Sequence, residues 1–111
     1  MIKVVPIEGK GRGVVATEEI DMGTVLSVAP ILEVVPNTSI QHHYWADWNG
    51  HEMVYYLTLG VQTLVNHSVD PNCISFMHED EDFLVSIKRI DRGEELTLNY
   101  FKVCDEFDGT F

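Results

Sequence analysis

Three stretches of the chain carry side chains that could do chemistry. Asn66-His67-Ser68 ends an apolar run and is followed by Asp70-Pro71-Asn72. Proline fixes φ and Asx side chains bond nearby backbone, so this reads as a tight turn. It leaves a cluster of polar groups at the mouth of a buried segment. Gly11-Arg12-Gly13 lies in a glycine-rich stretch near the N-terminus. Backbone without side chains can approach a ligand closely there. Leu96-Thr97-Leu98 reads as a final strand that delivers Asn99-Tyr100.

Several other chemistries fit these residues less well. Gly11-Arg12-Gly13-Val14-Val15-Ala16 matches the loose G-x-G-x-x-A dinucleotide pattern. That pattern needs a helix opening at the second glycine, and a turn at residues 21–23 leaves little room for one. No Gly-Lys-Ser/Thr occurs, so there is no Walker-type phosphate loop. His42, His43 and His51 could join the acids at 79–82 around a metal, but the Asx spacing of a calcium loop is missing. No bound metal is expected. Cys73 or Cys104 with His67 would make a Cys–His hydrolase, and no local signature supports it.

Composition narrows the class. In 111 residues there are 18 acids against 7 bases, a net charge of -11. A nucleic-acid binder needs a basic footprint, so direct nucleic-acid binding is not expected. A negative field instead raises the encounter rate of a basic partner. No apolar run approaches the ~20 residues of a membrane helix. The N-terminus has no signal-peptide apolar region, and the two cysteines make no disulfide framework. An intracellular protein of one domain is the expectation.

The elements that must position these groups are short strands. Strands are expected at residues 2–5, ended by Pro6, and from residue 14. Further strands are expected at 24–28, interrupted by Pro30, and at 31–35. Residues 37–51 are polar with three large aromatics and read as an insert lining a surface cleft. A short strand follows at 53–56. Leu57, Val61, Leu64 and Val65 have the spacing of one or two helical turns. Residues 72–77 and 83–87 read as a hairpin with an exposed acidic tip at 78–82. No internal repeat is evident. The chain is therefore expected to be mainly β.

Taken in order, Gly-Arg-Gly, Asn-His-Ser-x-x-Pro-Asn and Gly-Glu-Glu-Leu-Thr-Leu-Asn-Tyr resemble the SET domain of protein-lysine methyltransferases. The resemblance covers about residues 2–101 and is most like the minimal viral and bacterial SET proteins. It implies a β-clip of small, mostly antiparallel sheets with a C-terminal pseudoknot. On this resemblance residues 1–111 form a single SET domain with an insert at about 37–57. The short tail at 101–111 has no zinc-binding motif, because Val69 stands where zinc-bearing relatives have cysteine. The implied activity is methyl transfer from S-adenosylmethionine to a lysine side chain of a protein, such as a histone-like basic tail in chromatin. The implied cofactor contacts are Gly11, Arg12, Gly13, Asn66, His67 and Tyr100. Tyr100 matches the catalytic tyrosine, and Tyr44, Tyr56 and Phe101 are candidates for the lysine channel. The resemblance also implies an intracellular place, cytoplasmic or, for a viral protein, in the host nucleus. No membrane partner is expected, and a homodimer is compatible with so short a chain. The alternative is a SET-like module that binds protein partners without catalysis.

Overall fold

The computed structural model describes residues 1–35 and 44–99, with the backbone alone for Tyr44, Trp45 and Asp47. The chain opens with an antiparallel hairpin, β1 (Ile2–Ile7) and β2 (Gly11–Ala16). Then come β3 (Val25–Val34), β4 (Tyr44–Trp48) and β5 (Met53–Thr58). A 3-10 turn at Val61–Leu64 leads into the two-residue strand β6 (Asn66–His67). The remaining strands are β7 (Cys73–His78), β8 (Glu81–Ser86) and β9 (Thr97–Leu98). Five strands form one antiparallel sheet in the order β4-β5-β3-β8-β7, while β6 and β9 pair in parallel. The expectation of a mainly β chain with small sheets holds, and the parallel pair is the departure from a purely antiparallel plan.

The prolines do less than the sequence suggests. β1 runs through Pro6, because β1 has only β2 beside it and an edge strand tolerates a missing donor. β3 runs through Pro30, where the strand changes partners: residues up to Pro30 pair with β8, and Ile31 onward pairs with β5. The Pro30 carbonyl accepts from the Leu59 N–H at 2.9 Å. The helical expectation around 57–65 shrinks to the single 3-10 turn, since Leu57 lies in β5. Gly60 explains the tightness: a Cβ there would meet the Ala29 Cβ at 2.5 Å and Gln62 Oε1 at 2.6 Å.

A short repeat is present after all. Ile20-Asp21-Met22-Gly23-Thr24-Val25-Leu26 and Ile90-Asp91-Arg92-Gly93-Glu94-Glu95-Leu96 share the pattern Ile-Asp-x-Gly-x-x-Leu. Both glycines take positive φ, 84° and 87°, which glycine adopts at no steric cost. The turns exchange backbone bonds: Ile20 N–H donates to the Ile90 carbonyl at 2.8 Å, and Ile90 N–H to the Ile20 carbonyl at 2.9 Å. Each turn then grips the strand that leads into the other. Gly23 N–H donates to the Ser86 carbonyl at 2.8 Å, and Ser86 N–H to the Thr24 carbonyl at 3.0 Å. The mirror pair is Gly93 N–H to Ala16 at 2.8 Å and Ala16 N–H to Glu94 at 3.0 Å. Ile20 and Ile90 are buried together with Val14, Ala16, Val65, Cys73, Leu84, Leu96 and Leu98. Each large apolar side chain fully buried contributes ~1.5–3 kcal/mol. This core lies beneath the hairpin, β6 and the C-terminal segment, so the same packing holds both halves of the motif-bearing chain.

The β7–β8 turn is shorter than expected. Only Glu79 and Asp80 lie between the strands, and Glu79 sits at φ 55°. Asp82 is not part of an exposed tip: it lies in β8, 3% exposed. Leu84 and Ser86 on the same face are fully buried. Asp82 Oδ2 accepts from the Thr58 hydroxyl at 3.2 Å, and Oδ1 accepts from the Ser75 hydroxyl. Gln62 Nε2 donates to the Asp82 carbonyl at 2.9 Å, and the Ser27 hydroxyl donates to Gln62 Oε1 at 3.1 Å. The cluster bolts the 3-10 turn that precedes β6 to the large sheet. Burial pushes the Asp82 carboxyl above the ordinary carboxylate range, and the two hydroxyls pull it back in part.

An acid whose folded pKa is raised binds its proton more tightly when folded. It therefore opposes folding increasingly as pH rises from its unfolded value through its folded one. Asp82→Asn removes that penalty. The Tm of Asp82→Asn relative to the parent should rise as pH is raised from ~4 towards neutrality, the window above the ordinary carboxylate pKa. Thermal melts across that range check this, and a difference that does not move with pH refutes it.

Candidate functional site

The three stretches singled out by their residue types converge on one corner. Segment 93–98 enters between β2 and β6. On one edge Leu96 N–H donates to the Val14 carbonyl at 2.8 Å, and Val15 bridges Glu95. On the other edge Asn66 pairs with Thr97 and His67 with Leu98, and Ser68 N–H donates to the Leu98 carbonyl at 2.9 Å. Asn72, nearly fully buried, fastens this segment from the turn. Its Nδ2 donates to Glu94 Oε2 at 3.0 Å and to the Glu95 carbonyl at 2.9 Å. Its Oδ1 accepts from Thr97 N–H at 2.8 Å, and its own N–H donates to Thr97 Oγ1 at 3.2 Å.

Asn66 reaches across to the glycine segment. Its Nδ2 donates to the Arg12 carbonyl at 2.9 Å and to Glu95 Oε2 at 2.7 Å. The other Glu95 oxygen accepts from Lys10 Nζ at 3.0 Å. Gly11, Arg12 and Gly13 are not a loop but the first half of β2, and the turn itself is residues 8–10. Gly13 is needed for packing. A Cβ there would lie 2.7 Å from Glu95 Oε2, 2.7 Å from Ile7 Cγ1 and 2.9 Å from Asn66 Nδ2. Gly9, by contrast, has open space around it and φ 78°.

The structure thus brings the Arg12 carbonyl and Gly13 against Asn66, with Gly11 and His67 adjoining them in β2 and β6. Tyr100 and Phe101 lie outside the described residues. Tyr44 and Tyr56 stand on adjacent strands of the five-stranded sheet, β4 and β5, apart from the parallel pair that carries Asn66. Tyr56 is half-buried. Cys73 is fully buried, and burial pushes its thiol up to about 12, against a weaker pull from a Thr97 backbone hydrogen bond. It is no thiolate nucleophile at neutral pH, which removes Cys73 from a Cys–His hydrolase reading. His42, His43 and Cys104 lie outside the described residues. Among the described residues no group of three or more His, Cys, Asp or Glu could hold a metal ion. No helix among them is long and apolar enough to cross a membrane.

Glu95 received no role from sequence reasoning. A signal for it existed: Leu96 and Leu98 are buried, so period-two alternation turns Glu95 and Thr97 away from the core. Gln62 and Asp82 left no comparable signal, because their burial depends on a partner element distant in sequence.

The geometry can be set beside known proteins. A profile of the SET domain family matches residues 11–101. The chain belongs to the SET domain family. It is 29% identical over 101 residues to a histone-lysine N-methyltransferase, H3 lysine-37 specific, of Schizosaccharomyces pombe, covering 84% of this chain and 68% of that protein. It is 41% identical over 56 residues to human histone-lysine N-methyltransferase 2D, covering 47% of this chain. The match to the mouse protein of the same name has the same extent. The chain spans about 1% of the length of those two mammalian relatives. Among solved structures, a Plasmodium falciparum protein described as a candidate histone methyltransferase superposes with a TM-score of 0.74 at 19% identity, covering 89% of this chain and 91% of that one. The last comparison establishes the fold.

The two glycines make a paired prediction. Gly13→Ala should lower stability by about 1–3 kcal/mol, because three side chains must give way at once. Gly9→Ala meets no atom and should cost only its positive φ, about 1 kcal/mol. Denaturant unfolding of both variants tests the order. Equal losses would mean that Gly13 is not a close-packing position.

Proposed function

We propose that this chain transfers a methyl group from S-adenosylmethionine to the side-chain amine of a lysine in a protein. The observation that carries the proposal is the junction of Asn66, the Arg12 carbonyl and segment 95–98 in one corner of a SET fold. Relatives named as histone-lysine methyltransferases support methyl transfer to lysine. The residues at the corner suit the cofactor. Asn66 and the backbone of the glycine strand provide polar groups for its amino-acid end, beside the half-buried His67. When bound, S-adenosylmethionine supplies an electrophilic methyl group on a sulfonium sulfur.

The rest is the work of this chain. A lysine in water titrates near ~10.4 and must lose its proton before it can attack. An apolar channel lowers that pKa by desolvation, and Tyr44, Tyr56 and Phe101 are proposed to line it. Aromatic faces also suit the cationic methylammonium product. Tyr100 is proposed to orient the amine through its phenol oxygen. A phenol titrates near ~10, so a tyrosine is a poor base at pH 7 and a good hydrogen-bonding guide. Alignment of amine and methyl then supplies most of the acceleration.

The net charge of -11 supports a basic protein segment, such as a histone-like tail, as the substrate. Incubating the chain with isotopically labelled cofactor and a panel of basic proteins, followed by mass spectrometry, tests activity and substrate together. Labelled lysine is expected. Failure to bind the cofactor at all would favour a SET-like binding module instead. Tyr100→Phe should keep cofactor affinity and lose about 10²-fold or more in methyl transfer, the scale of one positioned catalytic group. Unchanged turnover would remove Tyr100 from the mechanism. With a lysine-rich peptide, kcat/KM should fall between ~0.01 and ~0.1 M salt, as the screening length shrinks from about 30 to about 10 Å. A flat salt dependence would refute steering by the acidic surface.

A further inference from the structure

We infer that Glu95 is a positioning residue: it aims the Asn66 carboxamide so that only its oxygen faces the ligand, and so sets this corner to receive an ammonium group. The inference rests on the reading of the chain as a binder of S-adenosylmethionine.

Asn66 Nδ2 carries two hydrogens. One is donated to the Arg12 carbonyl at 2.9 Å and the other to Glu95 Oε2 at 2.7 Å. A carbonyl and a carboxylate only accept, so turning the amide round would press its oxygen against two other oxygens. Chemistry therefore fixes which end is which. With both hydrogens used, the remaining capacity of the side chain is the lone pairs of Oδ1, and no donor among the described residues meets them. The free end of Asn66 can only accept. A carboxylate and a carbonyl stand beside it, so the local field favours a cation.

Glu95 is built to hold that aim. Its backbone is fixed on both sides, by Asn72 Nδ2 on its carbonyl and by the bonds of Glu94 and Leu96 to β2. Its carboxylate lies against Gly13, where even a methyl group would collide at 2.7 Å. Lys10 Nζ occupies the outer oxygen at 3.0 Å and leaves the inner one to Asn66. The Lys10 side chain is 45% exposed, and an ion pair that open adds little stability. Its effect is to select the carboxylate orientation in which Oε2 points at Asn66.

Calorimetric titration with two ligands tests this. S-Adenosylhomocysteine carries the ammonium-bearing amino-acid end, and 5′-methylthioadenosine is the same thioether without it. Glu95→Ala should weaken S-adenosylhomocysteine about tenfold or more, the scale of one charge-assisted hydrogen bond. It should leave 5′-methylthioadenosine within about threefold. In Glu95→Gln the amide oxygen can still accept from Asn66, and affinity should return to within about threefold of the parent. The ratio between the ligands is read within one variant, so a general loss of stability does not imitate the result. Equal weakening of both ligands, no weakening of S-adenosylhomocysteine, or a Glu95→Gln loss as large as that of Glu95→Ala would each overturn the role of Glu95. A parent chain that binds neither ligand would overturn the methyltransferase reading itself, and this inference with it.

Discussion

The structure depends on the mutual capture of two turns. Ile20 and Ile90 trade backbone hydrogen bonds at 2.8 and 2.9 Å within the buried core. Each turn clamps the strand that feeds the other, through Ser86 on one side and Ala16 on the other. The two turns hold each other although 70 residues separate Ile20 from Ile90. This long-range closure fixes where segment 93–98 must run. It can reach only the open edge of β2, and there it meets β6. The parallel pairing of β6 with β9 lies on the other edge of the segment that the two clamps hold. Non-local pairings of this kind carry a large loop-closure entropy, which only the shared core can offset.

Asn72 and Asn66 divide the consequences between them. Asn72 spends its side chain on Glu94, Glu95 and Thr97, all within the captured segment. It is a structural clasp with nothing left for a ligand. Asn66, six residues earlier, spends only its donors, and it faces the glycine strand instead of the core. Two asparagines in one motif therefore have opposite duties, decided by which neighbours their amides meet. The Asp82 cluster acts one step further back, by anchoring through Gln62 the turn that delivers Asn66.

The sequence made the motifs legible, because Asn66-His67-Ser68, Asp70-Pro71-Asn72 and the glycines are local signals with local causes. The mainly β architecture was legible for the same reason. What escaped was set by distant partners. Pro30 looked like a strand end, yet it lies where β3 exchanges β8 for β5, and only the sheet order reveals that. Asp82 belonged to an acidic run that resembled a solvated tip, yet Thr58 and Ser75 hold it inside. The Ile-Asp-x-Gly repeat was visible as text, but its meaning lies in pairing across the fold. The roles of Tyr44, Tyr56, Tyr100 and Phe101 remain those implied by family resemblance.

On the proposed function, the acidic surface sets two requirements against each other. A negative field draws in a lysine-rich segment, but it also stabilises the protonated amine, which cannot attack. Distance separates the two effects. Steering acts over about a Debye length, roughly 10 Å at 0.1 M salt, and needs only net charge. Activation acts over a few ångströms and needs desolvation without a nearby carboxylate. Glu95 lies at this corner, and both of its oxygens are already engaged, by Lys10 and Asn66. A carboxylate so occupied can shape one end of the cofactor site while adding little field at the place where a lysine must give up its proton.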